Sequence, residues 1–362
     1  MPVLCPRHLS VLGAVVLLTL ACGAPAAPPA APAPAGAAPT PAAGAAPPSA
    51  AAPTAGALTK YTIGRIGNAT FHSPFYISVN KGFLREQGLD PEIVVLPTPQ
   101  QIAGLVSGSL NVSVSSTDAV VLAVAHGQSL RQVMGYQSKW PYNFIAAAQY
   151  QRIEDLRGKQ IGVEGINVST GRLTELLLKR YGMERGRDWE AVVDGNNPDR
   201  YAALTNGSIA ATMLGDPYNF QAIDQGYTNL GSVEDLLPQM DFQDWTVDRD
   251  AAQRGAQSLV AFMKGMLKTY QWLYDPANKE ELVRFYEDEF KLTPQIAEQA
   301  YEANIPGKMW DENGRPNRAA IQALIDDMRS DNAFQDLPIP TIDQIVDETY
   351  LQQAWSQLGI QP

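Results

Sequence analysis

The sequence predicts an α/β protein built of two similar lobes, each around a parallel sheet, followed by a helical C-terminal tail. Three observations carry this. Short β-like runs alternate with helical segments from Tyr61 to Tyr227, the alternation of βαβ units. A set of caps, stops and strand starts recurs about one hundred residues on. After Trp245 the apolar spacing becomes helical and stays so.

The recurrence is specific. Ile63-Gly64 is answered by Ile161-Gly162, Gly82 by Gly182, Thr98-Pro99 by Asn197-Pro198, and Asp118 by Asp216. Leu105, Gly108, Ser109 and Leu110 are answered by Leu204, Gly207, Ser208 and Ile209, and Gly127 by Gly226. One duplication this long means two lobes with a cleft between them rather than a solenoid.

Residues 1–21 form a targeting segment: Arg7 is the positive region, Leu9 to Leu20 is an apolar run short for a membrane span, and Ala21 is small. The run Leu18 to Cys22 resembles a bacterial lipobox, with Thr19 where Leu is usual. That resemblance implies that Cys22 is acylated and becomes the mature N-terminus; conventional signal cleavage is the other reading. Gly23 to Ala57 contains only Ala, Pro, Gly, Ser and Thr. Without large apolar side chains to offset its ordering entropy, 22–57 reads as a disordered tether. At about 3.1 Å per residue, it would reach roughly 100 Å.

In the first lobe (58–143), Tyr61 to Gly64 reads as a strand. Ser73 suits an N-cap and Pro74 the first helical position, Phe75, Val79 and Phe83 share a face, and Gly82 supplies the stop. Glu92 to Leu96 reads as a strand, Gln100 to Ser107 as a helix, Asn111 to Val114 as a buried strand, and Leu130 to Met134 as another. Asp118 caps the helix that Gly127 ends. Phe144 to Ala148 crosses to the second lobe (144–245). There Gln160 to Val163, Trp189 to Val193 and Ala210 to Leu214 read as strands, and helices begin at Ser169 or Thr170 and at Asp216-Pro217. The remainder, 246–362, returns to the first lobe. In Ser258 to Tyr274, Leu259, Phe262, Met266, Tyr270 and Leu273 recur at helical spacing and read as core. Further caps stand at Thr293-Pro294, Arg315-Pro316-Asn317 and Pro340-Thr341.

The composition excludes several chemistries. The net charge of −11, about −12 once Arg7 leaves with the leader, argues against a nucleic-acid partner. Cys5 and Cys22 are the only cysteines, so the mature body has no disulfide, thiol nucleophile or thiolate metal site. With only His8, His72 and His126 besides, a zinc centre is not expected.

The motifs His72-Ser73-Pro74-Phe75-Tyr76 to Lys81-Gly82-Phe83, then Glu86-Gln87-Gly88-Leu89, Leu105 to Gly108, and Asp155 to Val163 resemble the bacterial solute-binding proteins for nitrate, sulfonates, taurine and thiamine-type pyrimidines. The likeness covers Leu58 to Tyr227 well and the tail loosely. It implies a two-lobe periplasmic-binding-protein-like (type II) fold that closes on a small molecule. It further implies a monomer without cofactor, delivering that molecule to an ABC permease with a cytoplasmic ATPase from a lipid-anchored, extracytoplasmic position.

In such a protein the site residues are those of equivalent loops. Asn68, Phe71, His72 and Ser73 in the first copy answer Asn167, Ser169 and Thr170 in the second, where helix N-termini present free N–H groups. Ser115, Ser116 and Thr117 end one strand; Asp216 and Tyr218 follow its counterpart. For Asp118 and Asp216, helix capping is the simpler role. Trp140 and Tyr142, before the first crossover, either stack on a flat ligand or pack. The thiamine-pyrimidine synthase of the same superfamily is similar around His72. This sequence lacks that enzyme's cysteine-rich motif, so His72 reads as a ligand-binding residue or part of the helix entry. An anion would want Arg or Lys at these loops, where Arg65 and Arg172 are the candidates. The more plentiful aromatics Phe71, Trp140, Tyr142, Tyr201 and Tyr218 favour a flat heterocycle, a thiamine-precursor pyrimidine or a flavin. The alternatives are a synthase-like enzyme and a surface scaffold.

Overall fold

The computed structural model describes residues 57–137, 139–166, 169–236 and 241–361, apart from the Ser169 side chain. The predicted leader, Cys22, almost all of the tether and Asn167 lie outside the described residues. Among the described residues no helix is long and apolar enough to cross a membrane.

In chain order the first series is β1 (Thr59–Arg65), α1 (Ser73–Asn80), β2 (Leu89–Val95), α2 (Thr98–Ser107), β3 (Val112–Ser116), α3 (Thr117–Ala125) and β4 (Leu130–Gln137). The second is β5 (Tyr142–Ala146), β6 (Lys159–Val163), α4 (Ser169–Arg180), β7 (Trp189–Val193), α5 (Asn197–Thr205), β8 (Ala211–Gly215), α6 (Tyr218–Asp224), β9 (Thr228–Ser232) and α7 (Val233–Leu236). Then come β10 (Gln243–Asp248), α8 (Arg249–Arg254), α9 (Ala256–Tyr274), α10 (Lys279–Phe290), α11 (Pro294–Asn304), α12 (Arg318–Ser330), α13 (Ile342–Ile345) and α14 (Thr349–Leu358). Two five-stranded sheets result, ordered β2-β1-β3-β10-β4 and β7-β6-β8-β5-β9.

The two orders are the same order, with one strand exchanged between sheets. The repeat is also visible in the packing. A Cβ on Gly64 would come within 2.7 Å of the Leu110 side chain, and a Cβ on Gly162 within 2.4 Å of the equivalent Ile209. Gly127 and Gly226 each end a helix at φ +87°, a conformation costly for any side chain.

The sheets are mixed rather than purely parallel, a correction to the predicted pattern. β5 runs antiparallel to β8 and β9, and β10 antiparallel to β3 and β4. β5 begins five residues after β4 ends. The short link carries the chain from the first sheet into the second, where β5 lies between β8 and β9. The helical stretch expected from Trp245 onward begins instead after Asp248. β10 is buried on both faces, and its polar letters, Gln243, Asp244 and Thr246, mask it as a strand.

Helix entries differ too. A 3₁₀ turn, Thr70–His72, precedes α1, so Ser73 is its first residue rather than a cap; its Oγ lies 3.3 Å from the Tyr286 hydroxyl. Ser116 stands at the cap of α3, and Asp118 accepts from the Ala119 N–H at 2.8 Å. Asp216 caps no helix, because Pro217 occupies that position.

The C-terminal helices pack on the first sheet. Phe262 of α9 sits 4.8 Å from Trp245 and 5.4 Å from Tyr61, ring centre to ring centre. Burial of such a ring contributes about 1.5–3 kcal/mol. The Trp245 indole N–H is satisfied by the Tyr270 hydroxyl at 3.0 Å. α12 lays Ile321, Leu324, Ile325 and Met328 against Val121 and Ala125 of α3.

Candidate functional site

The two sheets meet where the loop after β1 faces the end of β8. Phe71 lies so close to Gly215 that a Cβ there would stand 2.7 Å from the ring. Next to this contact Asp216 is buried, and its Oδ2 accepts from the Thr70 hydroxyl and from Asn304 Nδ2, the latter at 2.9 Å. Asn304 Nδ2 also lies 3.0 Å from the Thr70 hydroxyl, so the three close a network. The other carboxylate oxygen, Oδ1, has no protein partner. Burial pushes the Asp216 carboxyl up to about 7, since neutral donors compensate only part of the lost hydration.

His72 is buried beneath this contact. The Tyr136 hydroxyl donates to the Phe71 carbonyl at 2.9 Å and lies 3.4 Å from His72 Nδ1. With the hydroxyl proton committed, Nδ1 carries the hydrogen and Nε2 is the acceptor. Burial, and then the nearby Arg65 charge, hold the imidazole pKa well below its usual range, so the ring is neutral.

Asn68, Phe71, His72 and Tyr142 line one small cavity of about 20 Å³, together with Glu164, Asn196, Asn197 and Arg200. That is room for about one water molecule, so a ring-sized guest enters only if the walls part. Trp140 packs on Phe242 in a tilted contact with centres 4.1 Å apart, and Tyr142 meets the edges of Phe242 and Phe71 at 5.5 and 6.1 Å. Trp140 Nε1 is buried without a protein partner.

The remaining predicted residues are placed differently. Ser115 bonds Ser113 at 2.7 Å, and the buried Ser116 hydroxyl has no protein partner. Thr117 accepts from Gln132 and donates to Asp241. Burial raises Asp241 to about 7 and, with the Asp241 charge, holds Asp244 well above the carboxylate range. Thr170 turns its hydroxyl to the Glu164 N–H of its own loop at 2.9 Å. Tyr218 packs on Tyr201, 5.5 Å between centres.

The cations are committed. Arg65 donates to the Gly67 carbonyl and to Tyr76 at 2.7 Å. Arg200 donates to the Gly195 and Met213 carbonyls and to Asn197 Oδ1. Arg172 pairs with Asp327 at 2.7 Å, and Lys179 with Asp331 at 2.6 Å, joining α4 of the second sheet to α12 against the first. Beside these pairs runs a larger crevice of about 560 Å³ between α3, α4 and residues 331–337. It has the volume of a ligand site, and of the predicted residues Arg172 alone lines it, already paired with Asp327. The chemistry converges on the smaller cavity.

Asn196, Asn197, Arg200, Asp241 and Asn304 were not foreseen. Asn197 stands opposite Thr98 in the repeat, which is a sequence signal for the loop. Nothing local marks Asn304, which reaches the site from the tail.

The sequence signature described as NMT1/THI5 like matches residues 69–279. The formylaminopyrimidine-binding protein of Halalkalibacterium halodurans is 25% identical over 257 residues, 67% of this chain and 75% of that one. The 4-amino-5-hydroxymethyl-2-methylpyrimidine phosphate synthase THI12 of Saccharomyces cerevisiae is 28% identical over 147 residues, 39% of this chain and 41% of the yeast protein. Among solved structures, the periplasmic nitrate-binding protein NrtA from Synechocystis PCC 6803 superposes with a TM-score of 0.70 at 17% identity, covering 83% of this chain and 89% of that one. Such a likeness establishes the periplasmic-binding-protein fold.

Proposed function

The chain belongs to the NMT1/THI5-like family, and from that premise we propose that it is the extracytoplasmic solute-binding component of an ABC importer. It captures a flat heterocycle, a thiamine-precursor pyrimidine or a flavin-like ring, between its two lobes and hands it to a permease driven by a cytoplasmic ATPase. Cys22 anchors it to the membrane by lipid, and the chain works as a monomer.

The observation that carries the heterocycle over a small anion is the pair of aromatic rings on the cavity wall, Phe71 and Tyr142, backed by Phe242 and Trp140, together with the buried, unpartnered Oδ1 of the nearby Asp216. Stacking on such rings is sequence-tolerant and worth about 1–3 kcal/mol per base-like ring. A buried carboxylate oxygen favours an amino group and repels nitrate or sulfonate. The similarity to a formylaminopyrimidine-binding protein supports the same class.

Calorimetry with an aminopyrimidine, a flavin, nitrate and an alkanesulfonate tests this. Saturable binding of a heterocycle with recovery of the unchanged molecule is expected; binding of the anions alone would overturn the class. The partial similarity to the yeast synthase favours one other reading, an enzyme, which predicts a new product. A surface scaffold would bind none of the four.

A further inference from the structure

One end of the small cavity carries the Arg200 guanidinium, with Glu164 among the residues that line the same cavity. Arg200 is buried, at 1% exposure, and among the described residues no Asp or Glu lies within ion-pairing distance of it. Its guanidinium is held by carbonyl-type oxygens, the Gly195 carbonyl from Nη1, the Met213 carbonyl from Nε and Nη2 at 3.3 and 3.2 Å, and Asn197 Oδ1 at 2.9 Å, and it also reaches the Tyr142 hydroxyl. Burying a cation this way is costly, and carbonyl dipoles compensate it only in part. The arrangement also fixes its neighbours. Asn197 Oδ1 accepts from both Arg200 and the Gly215 N–H at 3.2 Å, so the amide is oriented with Nδ2 as its remaining donor group. Tyr142 shares the cavity wall with Arg200 and Asn197. Burial keeps its hydroxyl protonated, and of the charges acting on it that of Arg200 is the largest, ahead of Glu164 and Asp216.

Building on the heterocycle reading, we infer that Arg200, Asn197 and Tyr142 form a donor pole that takes an acceptor oxygen of the ligand, so the preferred heterocycle carries a carbonyl or anionic oxygen. Arg200 supplies the field and orients Asn197; Asn197 Nδ2 and the Tyr142 hydroxyl are the donors. A site built to hydrogen-bond one group rejects the analogue that lacks it, because its buried donors are then left unpaired.

The test compares cytosine with 4-aminopyrimidine, which lacks the ring carbonyl, by calorimetry on the full chain and on Arg200→Gln, Asn197→Asp and Tyr142→Phe. Asn197→Asp keeps an oxygen for both Arg200 and the Gly215 N–H. It places a carboxylate beside the buried guanidinium, so its fold should hold even if Arg200→Gln does not. Wild type should bind cytosine about tenfold or more tightly than 4-aminopyrimidine, and the preference should fall below about threefold in Asn197→Asp and Arg200→Gln. A wild-type preference that survives unchanged in a folded Asn197→Asp and in Tyr142→Phe overturns the donor pole and leaves the heterocycle reading standing. If wild type binds neither ring but binds nitrate or an alkanesulfonate, and Asn197→Asp abolishes that binding, the pole stands and the heterocycle reading falls.

Discussion

Asn304, the last residue of α11, donates its side-chain amide to Asp216 at the end of β8 across 2.9 Å, although 88 residues separate the two. The bond ties the C-terminal helices to the second sheet at the point where Thr70 ties the first sheet to it. Asp216 is therefore the residue on which three parts of the chain converge.

The pH dependence of stability follows from that position. Burial raises the Asp216 carboxyl from 3.8 to about 7, so between these values the folded chain holds a proton that the unfolded chain releases. Stability from this group is present at acid pH and is lost as pH rises through about 7. Asp216→Asn, which keeps an acceptor oxygen, should flatten the loss between pH 4 and 8 by roughly 2–4 kcal/mol relative to wild type. Urea unfolding of both proteins across that range checks it; parallel curves would mean that Asp216 is not the titrating group. Asp241 and Asp244 add the same sign to both proteins and cancel in the comparison.

Ionic strength should act on the lobes through Arg172, Lys179, Asp327 and Asp331. Partly exposed pairs contribute up to about 1 kcal/mol each, and they are screened at about 1 M salt, where the Debye length is about 3 Å. Asp331→Asn should give a larger radius by small-angle scattering at low salt and match wild type at high salt. Equal radii at low salt would remove these pairs from any role in holding the lobes together.

The tilted Trp140–Phe242 contact behind Tyr142 predicts a binding loss without a fold loss. Trp140→Phe keeps most of the packing but reduces the stacking face, and it should weaken heterocycle binding by about 1 kcal/mol. Circular dichroism should be unchanged. Wild-type affinity in that variant would assign Trp140 to packing alone.

Lipid anchoring rests on the run Leu18 to Cys22 and the Ala/Pro tether behind it. Cys22→Ser should leave the precursor unprocessed or release the protein from membranes on fractionation. A normally cleaved N-terminus with unchanged membrane association in that variant would count against the lipid.

Much of the fold was legible because the duplication repeats its punctuation: Gly64 with Leu110 and Gly162 with Ile209 are the same close contact written twice. β5 was legible as the strand that crosses to the second lobe, but its antiparallel direction and the exchange of β10 into the first sheet were not, because strand direction leaves no mark in the side-chain pattern. β10 also buries Gln243, Asp244 and Thr246, letters that read as surface. At the site, the loop bearing Asn68, Phe71 and His72 was readable from its place after a strand. Arg200 and Asn304 were not, since their roles arise from partners that only folding brings within reach.

The most direct test of the central claim is native mass spectrometry of the freshly purified full chain, followed by denaturation and identification of what it releases. Capture without turnover predicts a one-to-one adduct whose released mass is that of an intact small heterocycle, the same before and after prolonged incubation. A chain that carries no adduct and takes up none of the heterocycles offered, or one that converts the bound molecule to a new product, would contradict it.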